Sequence, residues 1–273
     1  MKRIVTTIVG ICVAALLVQV CVAQFRNGRF SRNRGRRSMT ITDRHGVPDW
    51  EVDPGFKKDV FTFVRVRYSS YNHWNKWAID YPDSDLNFSY RLQQLTSMKT
   101  DPNGLILELT DPALQDYPFL YMIEPGDLQF SEAEVKALRQ YCMNGGFLMV
   151  DDFWGDYEYQ NFYREIKRVF PEREPTEIPI EHNIFHCVYD MKEKPQVPSI
   201  GWARSGRVSE SGDPAYYKGI FDDNNRMMVI ICHNTDLGDG WEREGENERY
   251  FHEFSEKLAY PMGINIVFYA MTH

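Results

Sequence analysis

Two adjacent carboxylates, Asp151 and Asp152, directly follow the apolar run of residues 147–150. Two like charges in close contact cannot both stay ionised without a counter-charge, so such a pair shares a proton or holds a divalent cation. The alternative is structural: one aspartate caps the next helix while its neighbour faces solvent. The pair therefore marks a candidate site whose chemistry the sequence leaves open.

A second acidic stretch, HNTDLGDGWE at residues 233–242, follows another apolar run. Glycines at positions 238 and 240 flank Asp239, and they permit a positive φ and a close approach of the backbone to a ligand. A structural loop held by Asx turns explains the same residues. Both interpretations remain open at this point.

Tryptophans accompany these acids, and they could stack on a sugar or a peptide or simply line the edge of the core. Ligands of open α/β sheets bind at the carboxyl ends of the strands. Loops that follow different strands should therefore face one acidic, aromatic crevice. Its candidate residues are Trp74, Trp77, Asp127, Asp151, Asp152, Trp154, His182, His233, Asp236, Asp239, Trp241 and Glu242. The candidate metal ligands are Asp151, Asp152, Asp236 and Asp239.

His182 and His186 are four residues apart, a metal-ligand spacing only if the segment is helical. Pro179 and the β-branched neighbours favour extended chain or a turn, so packed structural histidines are expected. The sequence has no G-x-S-x-G or G-x-C-x-G elbow, no Walker loop and no G-x-G-x-x-G after a strand. Familiar nucleophile and nucleotide-binding chemistries are therefore not indicated.

Strands and helices alternate along the chain. Hydrophobic periodicity predicts strands at residues 61–68, 105–109, 119–123 and 147–150, and a hairpin that pairs 216–220 with 227–232. Helices are predicted at residues 87–98, from 131 to the Gly145-Gly146 stop, at 157–170 and at 246–259. This alternation is typical of an α/β three-layer sandwich with a mostly parallel sheet, here with a β-hairpin addition.

The N-terminal residues divide into two segments that precede the domain. Lys2 and Arg3, the apolar residues 8–20 and the small residues before Gln24 predict a signal peptide at residues 1–23. An uncleaved membrane anchor and lipidation at Cys21 are the alternatives. Residues 24–55 are predicted to be a basic, largely disordered leader, either a solvated tether or a clamp on an anionic surface. Residues 56–273 are predicted to form one α/β domain.

The charge balance excludes one class of partner. The chain carries 31 basic and 39 acidic residues, a formal charge of −8, and 22 basic against 38 acidic residues follow Arg44. Such a domain repels nucleic acid. Two of the five cysteines, Cys12 and Cys21, lie in the predicted signal peptide. The other three, Cys142, Cys187 and Cys232, are scattered, form no disulfide pattern and are expected to be buried small hydrophobic residues.

Four ordered motifs carry a family resemblance: YPFLYMIEPGDLQFSEAEVKALRQYCMNGGFLMVDDFWG, IPIEHNIFH, NTDLGDGWE and MGINIVFYAMTH. Together they resemble the bacterial family of domain of unknown function 4159. That family is similar in turn to the class I glutamine amidotransferase-like (flavodoxin-like) fold, which includes trehalose-utilisation-type proteins whose later segment carries a His-Pro-Ile signature. Asn183 stands where that proline would be, and acids stand where the amidotransferases need a cysteine. The resemblance therefore implies the fold without the amidotransferase activity.

Three functions fit these observations. The first is an exported, periplasmic or extracellular protein with a non-catalytic domain that binds a ligand or an envelope protein in the crevice. The second is a metal-assisted hydrolase that uses the aspartates, with His182 or His233 as ligand or base. The third is a structural component of an envelope complex, tethered by the leader. No cofactor is evident, and a divalent metal is the only one that the residues suggest.

Overall fold

The structure is a computed structural model that describes residues 41, 43–56, 59–72 and 74–273. The predicted signal peptide, residues 1–23, and residues 24–40 of the predicted leader lie outside the described residues. None of the helices in the described part of the chain combines the length and the apolar character that a bilayer crossing needs.

A seven-stranded sheet organises the described residues, in the order β2-β1-β3-β4-β7-β6-β5. Neighbouring strands from β2 to β7 run parallel, whereas β6 pairs antiparallel with β7 and β5 antiparallel with β6. The strands are β1 (Val64–Arg67), β2 (Leu105–Glu108), β3 (Phe119–Ile123), β4 (Phe147–Asp151), β5 (Thr176–Glu177), β6 (Tyr216–Phe221) and β7 (Met227–His233). The predicted mixed α/β class, mostly parallel sheet and hairpin are confirmed.

Helices connect the parallel strands. They are α1 (Asp83–Leu95), α2 (Glu132–Met143), α3 (Gly155–Val169), α4 (Ile200–Arg204), α5 (Leu237–Glu242), α6 (Glu248–Tyr250), a π helix (Phe251–Ala259) and α7 (Tyr260–Thr272). The predicted capping box at the start of α2 is confirmed, with Ser131 Oγ accepting from Glu134 N at 3.3 Å and Glu134 Oε2 accepting from Ser131 N at 2.8 Å. The apolar residues 264–271, for which the sequence suggested no element type, lie in α7.

Strand β3 shows why the sequence forms a buried parallel sheet. Phe119, Tyr121 and Ile123 join one hydrophobic core, while Leu120 and Met122 join a second one. Side chains of α1 and α7 belong to the first core, and side chains of α2 and α3 belong to the second. Strands buried on both faces need continuous apolar runs, which is the pattern of residues 119–123 and 147–150.

Part of the predicted leader belongs with the domain. Arg44 Nη1 donates to Asn103 Oδ1 at 2.8 Å, and Trp50 Nε1 donates to the carbonyl of Thr100 at 2.9 Å. A short 3-10 turn, Pro54–Phe56, follows. These long-range contacts place residues 43–56 with the α/β domain. The polar composition of the segment predicted disorder, but hydrogen bonds of two of its side chains attach it to the domain.

Candidate functional site

The first residue after each of three adjacent parallel strands has a left-handed backbone. Glu124 follows β3 with φ 46°, Asp152 follows β4 with φ 54°, and Asn234 follows β7 with φ 59°. A positive φ is uncommon for residues other than glycine and costs free energy unless the surroundings impose it. Such outliers cluster at functional sites, so the carboxyl edge of these strands is where a site is to be sought.

A fourth left-handed residue, Asp80 with φ 61°, lies in the loop between β1 and α1. Arg65, buried in β1, holds this loop by donating from Nη1 to the carbonyls of Trp77 at 3.1 Å and Ile79 at 2.9 Å. The loop that carries Asp80 is therefore fixed by a side chain of the sheet itself.

Three carboxylates meet at this edge. Asp80, Asp152 and Asp236 each present one oxygen, and these oxygens lie within 4.8 Å of one another. They come from the loops after β1, β4 and β7, and Asp152 and Asp236 are only 7% and 4% exposed. Carboxylate oxygens at this spacing are the ligands that Ca²⁺ and Mg²⁺ take in proteins. We call these three residues the aspartate triad.

A second acidic group shares Asp80, with Asp239 and Glu242 as the other members. Arg243 neutralises it, because its Nε lies 3.1 Å from Asp239 Oδ1 and its Nη2 lies 2.7 Å from Glu242 Oε2. Asp239 Oδ2 also accepts from the backbone N–H of Ile200 at 2.6 Å. The positive charge beside this second group is therefore the guanidinium of Arg243.

The electrostatics of the aspartate triad are unfavourable as it stands. Burial, followed by the nearby Glu124 and Asp80, raises the pKa of Asp152 well above its ordinary value. Burial and then Asp152 do the same to the pKa of Asp236. Burial and then Glu242 raise the pKa of Asp80, although Arg65 and Arg243 oppose this. A divalent cation would supply the missing counter-charge.

Buried oxygens without donors point the same way. Asp80 Oδ2 and Asp151 Oδ1 are buried and have no hydrogen-bond partner among the described residues. An unpaired buried carboxylate oxygen loses its hydration without compensation. No donor among the described residues therefore offsets the burial of these two oxygens.

Asp151 has a different role from its neighbour. It is fully buried, and its Oδ2 accepts from Gly238 N at 2.9 Å and from Tyr121 Oη at 3.2 Å. Burial raises the pKa of Asp151 to about 7. Asp151 is outside the aspartate triad and holds the loop before α5, so the two adjacent acids divide into one candidate ligand and one supporting residue.

Neither acid of the pair caps the next helix. The N–H of Trp154 is accepted by Glu158 Oε2 at 2.8 Å, and the N–H of Gly155 by Asn234 Oδ1 at 2.8 Å. Asp152 Oδ1 instead accepts from Trp154 Nε1 at 2.9 Å. The capping alternative is wrong here, because side chains of α3 and of the loop after β7 accept hydrogen bonds from the N–H groups at the start of this helix instead.

The loop after β7 is a structural turn, as one of its two interpretations predicts, and it also carries a member of the aspartate triad. Asp236 Oδ1 accepts from Asp239 N at 2.7 Å and so caps α5, while the residue also belongs to the aspartate triad. Gly238 is needed for close packing, since a Cβ atom there would lie 2.6 Å from Tyr121 Oη and 2.7 Å from Asp80 Oδ2. A structural turn thus delivers a candidate ligand.

Of the four predicted crevice tryptophans, Trp154 contacts the aspartate triad, because its Nε1 donates to Asp152 Oδ1 at 2.9 Å, whereas the other three lie elsewhere. Trp74 and Trp77 line a cavity of about 530 Å³ whose wall includes none of the aspartate triad. Trp241, expected in the crevice, is fully buried instead and packs on Phe88 with ring centroids 4.5 Å apart. Its ring completes the core beneath α5, which is why it reaches no surface.

The histidines and Asp127 also lie outside the aspartate triad. His182 accepts from Ile184 N at 3.2 Å and its ring packs against Tyr269, as expected for a structural histidine. His233 packs against Phe153, and burial lowers its pKa to about 4. Asp127 Oδ2 accepts from an asparagine side chain at 3.0 Å. Neither histidine therefore belongs to the aspartate triad, where the hydrolase hypothesis would have one act as a metal ligand.

Sequence reasoning missed Asp80 and Arg65. Asp80 opens the acidic string DYPDSD after the first strand, and this local concentration of acids was the available signal. Arg65 gave no signal, because an alternating strand predicts that its polar positions face solvent.

Taken together, the fold and the site define an α/β protein with a buried carboxylate cluster at the carboxyl edge of a mostly parallel sheet. The chain belongs to the family described as domain of unknown function (DUF4159), whose family model matches residues 62–271. A comparison with curated proteins found no match to this chain.

Proposed function

We propose that this domain binds a divalent cation, Ca²⁺, Mg²⁺ or Mn²⁺, at the aspartate triad, and that the cation holds an oxygen-rich ligand at the carboxyl ends of the strands. One observation carries the proposal: three carboxylates from separate loops converge on one point, and no basic side chain of the described residues is hydrogen-bonded to Asp152 or Asp236.

The two arginines that lower the pKa of Asp80 are engaged elsewhere. Arg65 gives its Nε to Asp85, at 3.1 and 3.0 Å from the two carboxylate oxygens, and Arg243 is shared between Asp239 and Glu242. A hard divalent cation with six or more oxygen ligands would bind the three aspartates and keep positions for water or ligand oxygens. This donor set contains no sulfur or imidazole, which disfavours zinc and copper.

The proposal includes the finer fold, a three-layer sandwich of the glutamine amidotransferase-like type. Two separate cores on the alternate residues of β3 support it. Asp152 supports it as well, because it occupies the strained turn between β4 and α3, where enzymes of related architecture carry a nucleophile. An acid at this turn favours cation binding over thiol chemistry.

We further propose that the protein acts outside the cytoplasm, where it binds a ligand or an envelope partner. The support is the sequence pattern of residues 1–23 and the arginine-rich residues that follow. A leader that tethers the domain near an anionic surface would keep the cation site close to envelope components.

The test is cation-dependent stabilisation of the purified full chain. After EDTA treatment and dialysis, CaCl₂, MgCl₂ and MnCl₂ are added in turn, and the unfolding temperature and the heat of binding are measured. A ligand of the native state at about 100 times its Kd stabilises by about 2.7 kcal/mol, which corresponds to a rise of roughly 5–10 °C for a domain of this size.

Matched variants locate the site. Asp152→Asn and Asp236→Asn should abolish the rise, whereas Glu242→Gln should keep it because Glu242 lies outside the aspartate triad. Asp156→Asn, an exposed acid outside the aspartate triad, serves as the control. No rise with any of the three cations, or equal rises in the wild type and both triad variants, would refute the proposal.

A further inference from the structure

The cavity of about 530 Å³ lies at the carboxyl ends of β1 and β2, beside the tryptophans that precede Asp80 in the β1–α1 loop. Its size falls within the range of small-ligand sites, roughly 300–1,000 Å³. Since no residue of the aspartate triad lines it, any ligand bound there would be recognised by different chemistry.

Aromatic faces form one part of its wall. Trp74 is 73% exposed, whereas Trp77 is buried to 9% exposure. A large indole ring left open to water is unusual unless it meets a ligand or partner. Its flat apolar face suits the apolar C–H face of a sugar ring.

The charged groups of the wall are already paired. Arg67 Nη2 lies 2.5 Å from Glu108 Oε1, and Glu134 Oε2 accepts from the N–H of Ser131 at 2.8 Å. An anionic ligand would meet these two glutamates, and a cationic one would compete with Arg67. The charges therefore favour a neutral ligand.

Neutral polar side chains supply the remaining wall. Ser69, Asn75 and Thr110 line the cavity, and their side chains make no hydrogen bond to other described residues. Hydroxyl and amide groups both donate and accept, which matches the hydroxyls of a sugar.

We propose that this cavity binds a neutral glycan, with Trp74 stacking on a sugar ring and Ser69, Asn75 and Thr110 hydrogen-bonding to its hydroxyls. The inference goes beyond the proposed cation site and does not depend on it. It names a class of ligand, the uncharged oligosaccharides, and leaves the aspartate triad to a separate ligand.

The experiment titrates the full chain with cellohexaose, maltohexaose, chitohexaose and mannohexaose, and follows tryptophan fluorescence and the heat of binding. At least one oligosaccharide should bind, and Trp74→Ala should weaken that binding by about tenfold or more, because it removes the stacking face. Thr110→Val, which keeps the side-chain shape, should weaken it severalfold. Phe56→Ala removes a comparably exposed ring outside the cavity and should change nothing.

Each titration is repeated in EDTA and in CaCl₂, and the affinity should be the same in both. The proposal is overturned if none of the four oligosaccharides binds at millimolar concentration or if Trp74→Ala binds as tightly as the wild type.

Discussion

Arg65 and Asp85 form an ion pair that is closed to solvent, with side-chain exposures of 0% and 2%. The guanidinium also donates to Ser84 Oγ at 2.7 Å and to two carbonyls of the preceding loop. One side chain of β1 therefore fixes both the loop that carries Asp80 and the start of α1. The geometry of the candidate cation site depends on this pair.

Loss of Arg65 should destabilise the domain strongly. Arg65→Met leaves the Asp85 carboxylate buried without a counter-charge, and such losses typically cost about 3–5 kcal/mol. The control is Arg67→Met in the same strand, because Arg67 pairs with Glu108 at 44% and 53% side-chain exposure and exposed pairs contribute about 1 kcal/mol or less. Urea unfolding measures the free energy of unfolding of both variants. Equal losses would contradict the stabilising role that we assign to the buried Arg65–Asp85 pair.

Without a cation, stability should fall as the pH rises from about 6.5 to 8. Burial raises the pKa of Asp151 and of Glu242 to about 7, so the native state holds protons that the unfolded chain has already released. The free energy of unfolding then decreases with pH. The window starts above the ordinary histidine pKa because the lowered pKa of His233 has the opposite effect below it.

Chemical unfolding in EDTA across this pH range measures the effect. Saturating CaCl₂ or MgCl₂ should make the fall shallower, because burial also raises the pKa values of the three triad aspartates and a bound cation would keep these three ionised in the native state. A free energy of unfolding that is constant or rises with pH in EDTA would show that the buried acids do not govern stability.

Asp152→Asn should stabilise the protein in EDTA while it removes the response to cations. The amide keeps an oxygen for the indole N–H of Trp154 but removes a buried like charge, and we expect a gain of about 1–2 kcal/mol. Asp156→Asn, on the solvent side of α3, should change stability by about 0.5 kcal/mol or less. A loss of stability in Asp152→Asn would mean that the carboxylate has a structural partner instead of a ligand role.

Gly238→Ala should damage both the fold and the cation site. The added methyl group would lie 2.6 Å from Tyr121 Oη and 2.7 Å from Asp80 Oδ2, and overpacking of this kind costs roughly 1–3 kcal/mol. Gly201→Ala in α4 is the matched control, since a Cβ there has no atom within 4 Å among the described residues. Thermal unfolding and cation titration of both variants distinguish tight packing from a general effect of alanine.

The architecture was largely predictable from the sequence because its signals are local. Apolar runs such as residues 119–123 and the capping box that begins at Ser131 depend on neighbouring residues, so β1 to β4, the hairpin and helices α1 to α3 lie within a few residues of their predicted bounds. Strand β5 and helices α4, α5 and α7 were not predicted. The pair Asp151 and Asp152 marked the correct strand end for the same reason.

The arrangement of the site was less predictable because it depends on contacts between distant residues. Alternation in FVRVR suggests that Arg65 and Arg67 share a solvated face. Arg65 is nevertheless buried, because it forms an ion pair with Asp85 in α1. Trp241 looks like a crevice residue beside acids, and only the packing of α5 shows that it belongs to the core. Composition alone also cannot tell which acids pair with Arg243 and which belong to the aspartate triad.

The backbone around Asp152 is held from both sides by its neighbours. Glu124 N donates to the carbonyl of Asp151 at 3.1 Å, and Asn234 N donates to the carbonyl of Phe153 at 3.0 Å. The turn is therefore held by backbone hydrogen bonds of its neighbours and not by the Asp152 side chain. A residue that tolerates a left-handed backbone, such as Asn, should change the chemistry of this position and leave the turn and the sheet that presents it in place.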